Sequence, residues 1–183
     1  MKFIKYLLPL LASVLLMACG DGGPNEPNPY IIDPGNQTIR LDLQYEYGLQ
    51  VPSSGNRITI AANNTVTYVA MSGTNNILTV ETGALVKSMD ISGANNTVNL
   101  STGVTVPVIS ILGTNATLNI TAEDKIGEVH LLGSNAVMTI SSSTSQVGTI
   151  NLFGSNIVLR MPIGFGAKTT IHNTGANNQI VEQ

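Results

Sequence analysis

Apolar residues in this chain come in pairs two positions apart, and the pairs recur with a long period. Leu78/Val80, Val98/Leu100, Leu118/Ile120 and Met138/Ile140 each follow a near-copy of one polar phrase. The phrases are Gly73-Thr74-Asn75-Asn76, Gly93-Ala94-Asn95-Asn96, Gly113-Thr114-Asn115-Ala116 and Gly133-Ser134-Asn135-Ala136, their glycines 20 residues apart. Ahead of each glycine the pattern is equally regular. Seven before it stand Val66, Val86, Val106, Ile126 and Val147. Four before it stand Val69, Met89, Ile109, Val129, Ile150 and Ile171, and two before it Met71, Ile91, Ile111, Leu131 and Leu152. Spacing of two marks strands with one buried face. The three-residue step between the first two of these positions predicts a bend between strands. No segment keeps three-and-four spacing long enough for a helix.

A fixed period of this size is the mark of stacked repeats. Aligned on glycine, the repeat runs through Gly35, Gly55, Gly73, Gly93, Gly113, Gly133, Gly154 and Gly175, with spacings of 20, 18, 20, 20, 20, 21 and 21. The expected fold is all-β: a single-stranded parallel β-helix, or solenoid, of about seven or eight coils at ~20 residues each. Leucine-rich repeats have similar length but a Leu spacing absent here, and a propeller blade needs about 40 residues. In the expected coil the turn glycines Gly73, Gly93, Gly113, Gly133, Gly154 and Gly175 supply a positive φ. Asn75, Asn95, Asn115, Asn135, Asn156 and Asn177 then line up as an amide ladder serving a buried turn.

Composition sharpens this picture. Of 183 residues, 43% are apolar but only 10% charged, well below the usual quarter. Asn, Thr, Ser and Gly replace the charges, as suits strands joined by tight turns. No basic cluster is present to neutralise phosphates, so a nucleic-acid partner is not expected.

The start of the chain reads differently. Lys2 and Lys5 precede a short apolar stretch, Tyr6 to Met17. Leu16-Met17-Ala18-Cys19 then resembles the lipobox of bacterial lipoproteins. The resemblance implies cleavage before Cys19, lipid attachment to that residue, and a membrane as partner. Cys19 is the only cysteine, so no intrachain disulfide is available. In enteric bacteria an Asp directly after the lipidated Cys tends to hold a protein at the inner membrane. Here Gly20 follows, so the resemblance implies the outer membrane. Residues 20–29 carry nothing apolar to bury and read as a tether reaching ~30 Å. The expected organisation is therefore a signal peptide (1–18), lipidated Cys and tether (19–29) and a repeat domain (30–183). The Gly-(Ser/Thr/Ala)-Asn-Asn phrase itself resembles small bacterial secreted and lipoprotein families of Gly-Asn repeats, which implies a parallel β-helix and no catalytic residues to carry over.

The residues that could do chemistry are sparse. Asp90, His130 and His172 share an outward column, but Asp90 and His130 lie two coils apart, ~10 Å, too far to act as a pair. Glu123, Asp124 and Glu128, with Lys125, read as a solvated loop bulge. Ser141 to Ser145 reads as a polar turn without a His/Asp partner. No metal and no cofactor are expected. One strand face stands out instead: Ile77/Thr79, Thr97/Asn99, Thr117/Asn119, Val137/Thr139 and Val158/Arg160 should all point outward. Residues 39–47, with Arg40, Asp42 and Glu46, are placed to cap the start, and the loop 161–166 to fold over the end. The expected function is a non-enzymatic cell-envelope lipoprotein, a scaffold or binding module using that face or the last coil. The expected partner is an envelope protein, a glycan or a second copy. The alternatives are a glycan-binding or glycan-processing protein and a self-assembling matrix subunit.

Overall fold

The computed structural model describes residues 29–183. Cys19, the signal-like stretch and the tether up to residue 28 lie outside the described residues. The chain forms β1 (Tyr30–Ile31), β2 (Thr38–Leu41), β3 (Tyr47–Val51), β4 (Arg57–Ile60), β5 (Thr65–Met71) and β6 (Ile77–Val80). It continues through β7 (Leu85–Val86), β8 (Ser88–Ile91), β9 (Thr97–Leu100), β10 (Thr105–Ile111), β11 (Thr117–Ile120) and β12 (Lys125–Leu131). It ends with β13 (Val137–Ile140), β14 (Gln146–Leu152), β15 (Val158–Met161), β16 (Thr170–Asn173) and β17 (Gln179–Glu182).

These strands make two sheets. Sheet A runs β1-β3-β5-β7/β8-β10-β12-β14-β16, and sheet B runs β2-β4-β6-β9-β11-β13-β15-β17. Every pairing is parallel and joins one repeat to the next: Thr117 pairs with Thr97 and with Val137. The fold is a parallel β-solenoid of eight coils, each crossing from sheet A to sheet B and back. At ~4.8 Å per coil its length is ~34 Å between the first and last layers.

The apolar columns of the sequence are the interior. The columns seven, four and two before the glycine face in from sheet A, and Leu78/Val80 and their equivalents face in from sheet B. The three-residue step does not separate two strands. In β5, β10, β12 and β14 it lies inside one seven-residue strand, where two successive residues face outward. Pairing skips one residue at this step, Pro107 opposite Gly127 and Gly127 opposite Gly148, because the backbone bends where two successive side chains face outward. Only the fourth coil divides there, between β7 and β8.

Register also corrects the start of the repeat. Arg57 pairs with Ile77 and Thr38 with Arg57. Ser53 and Pro34 therefore occupy the position of Gly73, and Gly55 that of Asn75. The short spacing of 18 came from aligning glycines that play different parts. With true register the first coil step is 19 residues and the next four are 20.

The two ends differ from the middle. Arg40 does not cap the start; it lies on the outer face of sheet B and pairs with Glu81 through two guanidinium–carboxylate contacts. Arg40 holds the Glu81 carboxyl below its ordinary range. Tyr47 is buried, its hydroxyl unpartnered, and desolvation raises its pKa to about 12. At the other end, a 3-10 turn at Phe165–Ala167 drives Phe165 into the core. Glu182 accepts a hydrogen bond from the Gly164 N–H at 3.3 Å, tying this loop to the last strand.

Candidate binding surfaces

Each coil turns at two corners, and the polar phrases build the first. Outside the second coil, where Gly55 holds it at 77°, the positive φ at this corner belongs to asparagine rather than to the phrase glycines: Asn75, Asn95, Asn115, Asn135, Asn156 and Asn177 lie between 54° and 58°. Asn tolerates this region because its short amide bonds locally. Gly73, Gly93, Gly113, Gly133, Gly154 and Gly175 are glycine for another reason. A Cβ on Gly93 would sit 1.9 Å from the Gly73 carbonyl oxygen, and one on Gly113 would sit 1.9 Å from that of Gly93. From Gly93 onward each glycine rests directly on the one below, and Gly73 rests on Ser53.

The corner carries two sets of amides. The Asn75 set is exposed, and its side chains bond coil to coil: Asn95 to Asn75 at 3.1 Å, Asn115 to Asn95 at 3.0 Å, Asn135 to Asn115 and Asn156 to Asn135 at 3.2 Å. The buried-turn role falls instead on the next residue. Asn56, Asn76 and Asn96 are at most 1% exposed. The Asn76 Oδ1 accepts from the Asn56 N–H, and the Asn96 Oδ1 from the Asn76 N–H, both at 2.8 Å. The Asn96 amide donates to the Gly73 carbonyl at 2.8 Å. In the next coils Ala116, Ala136 and Ile157 fill this column, and Asn178 resumes it. The double Asn in the phrase was the available signal: two adjacent amides on a turn cannot share one environment.

The second corner overturns one expectation. Asp124 is not part of a solvated bulge but fully buried. It stands in the column of Asn64, Ala84 and Val104, its Oδ1 accepting from the Val104 N–H and its Oδ2 from the Thr121 N–H, both at 2.9 Å. Desolvation raises its pKa, against the lowering effect of those N–H groups. Glu123 beside it takes the left-handed turn position at φ 61°.

The outward column of Asp90, Ser110, His130, Asn151 and His172 is continuous in register on sheet A. Ser110 separates Asp90 from His130. His130 contacts Glu128 at 3.1 Å and the Asn151 amide at 3.1 Å. Among the described residues, no three His, Cys, Asp or Glu residues group closely enough to hold a metal ion. No described helix is long and apolar enough to cross a membrane.

Two surfaces remain. One is the outer face of sheet B. Thr97 aligns with Ile77 and Thr117, and Thr79 with Asn99, Asn119 and Thr139, ending at Arg160. All are partly exposed except Arg160, which is exposed. The Asn119 amide donates to Asn99 at 2.8 Å, holding the middle of this face flat. The other was not anticipated. Leu112, Leu132 and Phe153, each just before a turn glycine, are 51%, 46% and 47% exposed in consecutive coils. They line a shallow groove of about 580 Å³ together with Thr114, Ser134 and Ser155. A second recess, at the N-terminal coil, is bounded by Asp42, Tyr45 and Glu46.

No family model matches the chain, and no match emerges among curated proteins or solved structures.

Proposed function

We propose that this protein is a non-enzymatic lipoprotein of the bacterial cell envelope, most consistent with the outer membrane, whose solenoid acts as a binding scaffold. One observation carries the reading: sheet B offers a two-column outer face, in continuous register, that stays uncharged from Ile77 to Val158. A partner meeting that face strips water from hydroxyls and amides rather than from ions, which costs far less. The partner class is an envelope protein or glycan with its own flat polar surface. Supporting the anchor is Cys19, the sole cysteine, placed by a lipobox-like string and followed by a Gly/Pro/Asn tether.

Two measurements test this. Radiolabelled acyl chains should incorporate into the full chain and fail to do so in Cys19→Ser. Immobilised protein should retain an envelope component that is lost when Thr97→Lys and Thr117→Lys are combined. Retention unaffected by those two lysines would refute the sheet B face as the contact. A captured polysaccharide would move the reading to the glycan-binding class.

A further inference from the structure

Position by position, the column just before the turn glycine reads Ser72, Ser92, Leu112, Leu132, Phe153, Thr174. Serine serves the turn in two coils and threonine in another, so the fold does not require an apolar residue there. Three consecutive coils nevertheless place large apolar side chains in it, each about half exposed. The stretches 72–76, 92–96, 112–116, 132–136, 153–157 and 174–178 contain no charged residue at all. From the second coil onward this edge is therefore uncharged, and only the first coil sets a charge in the column, at Asp33; a line of apolar side chains runs along the edge parallel to the axis.

We infer that this edge is a membrane-contact ridge, on which the rod lies with its axis along the lipid surface. The inference rests on the lipid anchor proposed above. The half-exposed area of Leu112, Leu132 and Phe153 is ~300 Å² in all, given 150–250 Å² for a large side chain. A stable protein–protein interface takes ~800 Å² from each partner. The ridge is too small to hold a second copy by itself. It is large enough to orient a protein already held at the bilayer, where the second attachment is intramolecular. Reach is adequate. From β1 to β10 is four sheet steps, ~19 Å, and to β14 six, ~29 Å. The residues between Cys19 and Pro29 span up to ~33 Å when extended. An anchor beside any part of the ridge is within range. An uncharged edge enters the headgroup region without stripping ions of water, whereas sheet A presents Lys87, Asp90 and Glu128.

The chain has no tryptophan, so one introduced indole reports its own surroundings. The lipidated full chain carrying Phe153→Trp is reconstituted into phosphatidylcholine vesicles, with Thr97→Trp on sheet B as the comparison. Vesicle flotation reads the anchor; quenching by lipids brominated on the acyl chains reads the ridge. Both variants should float. Emission from residue 153 should shift to the blue and lose most of its intensity, and that from residue 97 should stay unchanged. Adding Leu112→Ser and Leu132→Ser should restore the residue 153 emission without loss of flotation. A floating chain with equal quenching at both sites overturns the ridge and leaves the anchor standing. A chain that does not float overturns the anchor and, with it, the orientation built on it.

Discussion

Gly113→Ala places a methyl group where the structure has a backbone oxygen. The new Cβ would stand 1.9 Å from the Gly93 carbonyl oxygen and 2.8 Å from its carbon. Unstrained C···O contacts lie near ~3.3 Å, so the coils must part locally by ~1.4 Å. The obstruction is main chain on both sides and cannot rotate away. Parting the coils stretches the Leu112 and Gly113 N–H bonds to the Ile91 carbonyl (2.9 and 3.1 Å) and the Asn115–Asn95 amide bond (3.0 Å). Two or three lost hydrogen bonds at ~1 kcal/mol each, with ~1–3 kcal/mol of overpacking, give a destabilisation of ~3–6 kcal/mol. Gly103→Ala is the contrast. That glycine has φ 76° and nothing nearer its Cβ than the Gly83 nitrogen at 3.9 Å, so only the left-handed penalty of ~1–2 kcal/mol applies. Urea unfolding followed by circular dichroism separates the two. With a slope of ~2 kcal/mol/M, Gly113→Ala should lower the midpoint by ~1.5–3 M and Gly103→Ala by ~0.5–1 M. Equal shifts, or a larger one at Gly103, would show that the phrase glycines serve backbone angle rather than close stacking.

Three further outcomes are expected. Asn76→Ala leaves the Asn56 N–H and the Ser53 carbonyl without their bonds and should cost ~2–4 kcal/mol in the same assay, whereas Asn95→Gly, which removes the exposed ladder amide but keeps the left-handed backbone unstrained, should cost ~1 kcal/mol or less. Asp124, with its raised pKa, favours the folded state most fully below the ordinary carboxylate range, and that contribution fades as pH rises through its folded pKa. The wild-type urea midpoint should therefore fall relative to Asp124→Asn as pH goes from acidic to neutral; a constant difference would mean that Asp124 titrates as an ordinary exposed carboxyl. Glu182 faces inward below Met161, in a column otherwise made of Leu41, Ile60, Val80, Leu100, Ile120 and Ile140. An inward charge on an edge strand hinders end-to-end pairing, so Glu182→Val should raise the scattering mass at high concentration, and an unchanged mass would show that the edge is blocked by something else.

Much of the architecture is legible without coordinates, because stacking is a one-dimensional problem. A coil that repeats every 20 residues must put residue i over residue i + 20, so periodicity alone names the inward columns and the strands on either side of the turn. Chemistry within a turn is not periodic information. Glycine at a corner can mean a positive φ or a missing Cβ, and Gly113 and Gly103 look alike in the sequence; only the position of the neighbouring coil's carbonyl decides between them. The same holds for Asn75 and Asn76, adjacent amides of which one meets solvent and the other the interior. Asp124 read as solvated because it stands among charges, yet its register places it in the column of Asn64 and Val104, where backbone N–H groups compensate its burial. The ridge of Leu112, Leu132 and Phe153 escaped the periodic reading because apolar residues were matched to the core, and exposure depends on which way the corner points. The sequence by itself determined the layer and its repeat, since both follow from the spacing of side chains along one chain. Tertiary structure decided which turn atoms touch and which side chains face water, since those depend on distances between coils that are far apart in sequence.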